Sequence, residues 1–115
     1  MADHAMLGHY AENVVANHLR RWPGLVELAY FRERNDELDF IVDLGNMRLG
    51  IEVKYRTDLN MNELRKSAAI AERLGCAGFV VVSKNRPEAD WIQSLASKIK
   101  LPLAVLPLAD FMMLF

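Results

Sequence analysis

Apolar residues recur at three- and four-residue spacing from Ala5 to Trp22, at Leu7, Tyr10, Ala11, Val14, Val15, Leu19 and Trp22. That spacing predicts an amphipathic helix with one buried stripe, ended by Pro23-Gly24. Glu12 falls at the edge of the stripe. The β-favouring run Val26 to Arg32 predicts a strand, and the polar cluster Glu33-Arg34-Asn35-Asp36 a turn.

The period then changes to two. Glu37 to Leu44 and Met47 to Tyr55 are β-like runs on either side of Gly45-Asn46, which predicts a hairpin with a two-residue turn. With that turn the register can be written down: Phe40 opposite Ile51, Asp43 opposite Arg48, Glu37 opposite Lys54 and Asp39 opposite Glu52. Leu38, Phe40, Val42 and Leu44 should then share one apolar face with Met47, Leu49, Ile51 and Val53. The other face carries Glu37, Asp39, Ile41 and Asp43 with Arg48, Gly50, Glu52 and Lys54.

A second helix is expected from Met61 to Leu74, with Asn60 and Glu63 spaced as a capping box and Gly75 as its stop. Gly78 to Ser83 has no alternation, as for a strand covered on both faces. Pro87 suits the first turn of a third helix with Trp91, Ile92, Leu95, Ala96 and Ile99 on one stripe. Leu103 to Leu106 makes a last strand, and Ala109 to Phe115 a terminal helical piece. The order α-β-β-β-α-β-α-β-α describes an α/β protein with a mixed sheet flanked by helices.

A chain of 115 residues, 52% hydrophobic and 25% charged, fits a single folded domain over residues 1–115 with room for one site. Fourteen basic against fifteen acidic residues give a net charge of −1, so no broad positive field draws in nucleic acid and any DNA contact must be local. One cysteine, Cys76, excludes an internal disulfide or a thiolate cage. No run of about 18 apolar residues exists to span a membrane, and no secretory signal opens the chain, so a cytoplasmic protein is expected. The abrupt start at Met1-Ala2 and the apolar stretch Phe111 to Phe115 suggest a missing neighbour: a partner surface, a homodimer or the rest of a longer chain.

The polar face of the hairpin carries the chemistry. Asp43 with Arg48 and Glu37 with Lys54 are matched pairs, but Asp39 opposite Glu52 sets like charges against each other, a cost of up to about 1 kcal/mol. Two facing carboxylates are hard oxygen ligands for Mg²⁺ or Mn²⁺, which turns that repulsion into attraction. Residues two apart on a strand point the same way, so Lys54 lies beside Glu52, where an ammonium can orient water or share charge on a phosphate. Gly50 on the same face leaves space beside the acids.

Glu12 on the first helix, Glu37-Leu38-Asp39-Phe40 and Ile51-Glu52-Val53-Lys54 together resemble the PD-(D/E)xK nuclease superfamily, with its restriction-endonuclease-like αβββαβ core. More narrowly, Leu7 to Asn13, Tyr30-Phe31-Arg32, Glu37 to Val42 and Ile51 to Tyr55 look like the uncharacterised C-terminal domain of bacterial and archaeal AAA-type ATPases. The resemblance implies Asp39 and Glu52 as ligands of Mg²⁺ or Mn²⁺, Lys54 as the catalytic lysine and Glu12 as an accessory acid. It also implies DNA as substrate and an AAA-type ATPase module in cis or in trans. No Gly-x-x-x-x-Gly-Lys-Ser/Thr segment is present, so this chain has no ATPase of its own.

Two other readings stay open: a non-catalytic interaction or regulatory module associated with an ATPase, and a hairpin whose charges are incidental. His4, His9 and His18 do not form a zinc cluster, and Trp22 and Trp91 lie on apolar stripes and read as core. Arg65, Lys66 and Arg73 alternate with Glu63 and Glu72, which reads as a solvated helix face. Arg32 is expected to pair with Glu37 or Asp36.

Overall fold

The computed structural model describes residues 4–115, with side chains from Met6 onward in the first helix. The expectations for Met1-Ala2 and for the His4 side chain lie outside the described residues. The elements run α1 (His4–Arg20), β1 (Glu27–Glu33), β2 (Asp36–Asp43), β3 (Arg48–Lys54), α2 (Met61–Arg73), β4 (Gly78–Ser83), α3 (Ala89–Lys98), β5 (Leu103–Pro107) and α4 (Leu108–Leu114). The five strands form one sheet in the order β1-β2-β3-β4-β5. β1, β2 and β3 pair antiparallel, whereas β3, β4 and β5 pair parallel, so the sheet is mixed as the pattern predicts.

The two sides of the sheet are covered by different helices. Ala11, Val15 and Leu19 of α1 and Phe111 of α4 pack with Phe40, Val42, Ile51, Val53, Val80 and Val82. Leu64, Ala68 and Ala71 of α2 and Leu95 of α3 pack with Leu38, Phe79, Val81 and Val105. Every residue of β4 is buried, which explains its unbroken apolar run. Trp22 packs on Phe115 and Trp91 joins the α2 side, both partly buried against the core. Ala96, expected inward on α3, is exposed.

The hairpin turn adopts the predicted register: Gly45 has φ +88°, open to glycine, and Asp43 pairs with Arg48 and Phe40 with Ile51. The β2–β1 pairing is different. Leu28 faces Val42 and Ala29 faces Ile41, but Phe31 faces Leu38, so two residues of β2, Asp39 and Phe40, stand opposite Tyr30 alone. This β-bulge corrects the expected apolar face. Phe40 and Val42 look toward α1, but Leu38 is carried over to the α2 core, because the extra residue resets the alternation.

Gly50 also departs from expectation. A Cβ there would lie 2.7 Å from the Ala71 Cβ and 3.3 Å from Leu38 Cδ2. Its missing side chain leaves no free space beside the acids; it lets α2 approach the sheet. Among the described residues no helix is long and apolar enough to cross a membrane.

Candidate functional site

The ladder between β2 and β3 is recorded from Asp43↔Arg48 to Phe40↔Ile51 and stops one pair short of Asp39 and Glu52. Side chains take over from there. The Asp39 N–H donates to Glu52 Oε1 at 3.0 Å, and the Val53 N–H donates to Asp39 Oδ2 at 2.8 Å. The bulge thus opens the hairpin where the two predicted acids meet, and each carboxylate satisfies a backbone donor of the other strand.

Glu52 is almost wholly buried, 3% exposed, beneath α2. The buried Ser67 hydroxyl of α2 donates to its Oε2. Burial first, then the adjacent Asp39 carboxylate, push Glu52 up to about 8, against the lowering effect of Ser67 and Lys54. Glu12, half-exposed on α1, is raised too, by burial and then by Asp39. The four predicted residues therefore fall within one electrostatic neighbourhood at the carboxyl end of β3.

They do not form one cluster. Glu52 and Lys54 line a cavity of about 340 Å³ with Arg56, Glu63, Lys66 and Ser67. Glu12 lines one neighbouring cavity with Asp39 and another with Lys54. Among the described residues no three His, Cys, Asp or Glu side chains are grouped as a metal cage. The candidate donor set is the carboxylate pair Asp39 and Glu52, hard oxygen ligands of the kind of which Mg²⁺ or Mn²⁺ takes one or two while keeping several waters. Asp39 Oδ2 and both Glu52 oxygens accept hydrogen bonds from the protein.

Lys54 does not pair with Glu37, as the register suggested. Glu37 pairs instead with Arg32 at 3.3 Å, the partner expected of Arg32. Lys54 approaches Glu63 of α2 at 3.9 Å, and Arg56 binds the same Glu63 oxygen at 2.6 Å. Asn60 caps α2 as predicted by accepting from the Glu63 N–H at 3.1 Å, yet Glu63 does not return the bond, because its carboxylate is held by these two cations. Cys76 is buried, and burial raises its thiol.

Ser67 and Glu63 are absent from the sequence-based set. Ser67 had a visible signal: a hydroxyl between Leu64 and Ala68 on the inward stripe of a helix must find a partner. Ser67→Ala is expected to destabilise the protein by about 1–2 kcal/mol at pH 8 and by less at pH 5. The reason is that the Ser67 bond favours ionised Glu52. Urea denaturation at the two pH values checks this; an equal loss at both would detach Ser67 from the ionisation of Glu52.

Fold and side chains together define an α/β domain with a carboxylate pair, one member buried, and an adjacent lysine at the carboxyl end of the central strand of a mixed sheet. The chain belongs to the family described as Domain of unknown function (DUF4143), whose model matches residues 7–103. No curated protein matches it. Among solved structures it is similar in fold to protein VC1899 from Vibrio cholerae, with a TM-score of 0.63 and 18% identity. That match covers 95% of this chain and 31% of VC1899, so the chain spans under a third of that protein's length.

Proposed function

We propose that this domain is a metal-dependent phosphodiesterase acting on DNA, with Asp39 and Glu52 as the metal-holding pair, Lys54 as the catalytic lysine and Glu12 as an accessory acid. The observation that carries the reading is the opened hairpin. Two acids meet there, one of them buried and pushed up to about 8, in a place where a purely structural hairpin would continue its ladder. A divalent ion bound by the pair supplies charge to polarise a phosphate and acidify a water.

The chain's own groups have separable tasks. Asp39 and Glu52 receive the cation, and Ser67 holds Glu52 in place. Lys54, two residues along the same strand and about a quarter exposed, presents its ammonium to the cavity. Arg56 lines the same cavity, and its buried Nε–H has no partner among the described residues, a donor suited to a phosphate oxygen. The resemblance to the C-terminal domain of AAA-type ATPases suggests a partner module in cis or in trans, with DNA as the shared target.

Lys54→Met is expected to lower Mg²⁺- or Mn²⁺-dependent cleavage of linear, nicked and single-stranded DNA by about 100-fold or more, the scale of one lost electrostatic contact to the transition state. Divalent binding, measured by calorimetry, should persist in this variant and disappear in Asp39→Asn. Equal cleavage by Lys54→Met and the unaltered protein would end the assignment. The competing reading is a non-catalytic interaction or regulatory module of the same fold. Its signature is the absence of both divalent binding and cleavage.

A further inference from the structure

The outward face of α2 reads in sequence as self-neutralised, with Glu63 and Glu72 alternating among Arg65, Lys66 and Arg73. In three dimensions the two acids leave that face. Glu63 turns to Arg56 and Lys54 at the site, and Glu72 turns to Lys100 at 3.9 Å. Arg73 lies over the Phe31 ring at 5.5 Å. What remains exposed is Arg65 and Lys66, with the short Ala69 one turn further on and Lys98 from the last turn of α3.

These residues and Asn62 line a groove of about 460 Å³ between α2 and α3. It contains three cations and no acid. Among the described residues no carboxylate lies within ion-pairing distance of Arg65, Lys66 or Lys98. Lys66 also lines the cavity of Glu52, Lys54 and Arg56, which Asp36, Glu37 and Glu63 line as well, so the groove adjoins the Glu52 side of the acid pair. In a chain of net charge −1, a groove lined by three cations with no ion-pair partner among the described residues is a local field suited to a polyanion.

We propose that Arg65, Lys66 and Lys98 form a phosphate-contact track that carries a nucleic-acid strand by its phosphodiester backbone to or from the Asp39–Glu52 site. Ala69 is the floor of the track, where a longer side chain would fill the groove. The contacts are electrostatic and independent of base sequence, because nothing in the groove but Asn62 offers a neutral hydrogen-bonding edge. The track rests on the nucleic-acid reading of the site, and it adds a surface which that reading does not require.

The test is binding of a short fluorescent DNA oligonucleotide, single-stranded and duplex, over a salt series in EDTA, by the unaltered protein and by the triple variant R65A/K66A/K98A. The expected result is at least a tenfold loss of affinity at low salt. The slope of log affinity against log salt should also fall in magnitude by about 2, at roughly 0.7 per cation for a single strand. R65K/K98R, which keeps the charges, should retain both affinity and slope. Unchanged affinity and slope in the triple variant would overturn the track, as would absence of binding by the unaltered protein at low salt. Binding that depends on the three cations, without any metal-dependent cleavage, supports the track and removes the nuclease reading. Cleavage that depends on Glu52 and Lys54, with binding indifferent to the three cations, does the reverse.

Discussion

Exchanging Glu52 for Gln is expected to abolish metal-dependent cleavage while making the fold more stable at pH 8. Both effects have one origin. Burial and the neighbouring Asp39 push Glu52 up to about 8 from an ordinary 4.5, so the folded protein resists ionising this side chain. A group whose folded pKa is raised contributes stability that is fully present below its unfolded pKa and is lost as the pH rises through its folded pKa. The metal-free protein should therefore lose stability as the pH climbs from about 4.5 to about 8.

Gln cannot ionise, so that slope should flatten in Glu52→Gln. At about 1.4 kcal/mol per pKa unit, the advantage of the variant at pH 8 has a ceiling of roughly 4 kcal/mol. The Ser67 hydroxyl can rotate to accept one N–H of the new amide. Adding Mg²⁺ or Mn²⁺ should raise the melting temperature of the unaltered protein more at pH 8 than at pH 6, and should leave Glu52→Gln unmoved. A variant that is less stable at both pH values, or that keeps cutting, would contradict the account of Glu52 as a strained acid held for a cation.

Gly50→Val should have the largest purely structural effect, a destabilisation of about 3 kcal/mol or more. The new side chain would begin 2.7 Å from the Ala71 Cβ, a helix atom with little freedom to retreat, and 3.3 Å from Leu38 Cδ2. Relief requires α2 to move off the sheet. Ser67, one turn before Ala71, would be drawn away from Glu52, so cleavage should fall together with stability. Ala71→Gly in the same chain should restore part of both, a coupling that a double-mutant cycle measures. A denaturation midpoint equal to that of the unaltered protein would show that α2 does not rest on Gly50.

Local rules explain how much was legible in the sequence. Gly45-Asn46 with two alternating runs fixed the hairpin register, since a slip of one residue would expose Phe40, Val42 and Ile51. Asn60 was recognisable as a cap because its side-chain oxygen can accept from the Glu63 N–H. The buried β4 announced itself by an unbroken apolar run. The site's exact shape depended on long-range facts that carry no local mark. The bulge at Asp39-Phe40 arises from pairing with Tyr30, ten residues away through a different turn, so Leu38 could not be assigned to its side from β2 and β3 alone. Glu63 looked like half of a capping box, but the partners that claim it, Arg56 and Lys54, come from the end of β3 and the loop beyond. The charges on α2 cancel when counted along the sequence, which does not show which way each side chain leaves the helix.

The bulge has a consequence for reading motifs in related chains. The hairpin turn sets Asp39 opposite Glu52, and there β2 has one more residue than β1 can match opposite Tyr30, so the aim of the acid also depends on a count of backbone residues between two turns. One residue gained in β1 or lost from β2 would let the strands zip regularly and re-aim the carboxylate, with every acidic residue and the lysine still in place. Chains of this fold can thus gain or lose the pair through length variation alone, and in such chains the spacing from β1 to Asp39 carries as much information as the charged residues themselves.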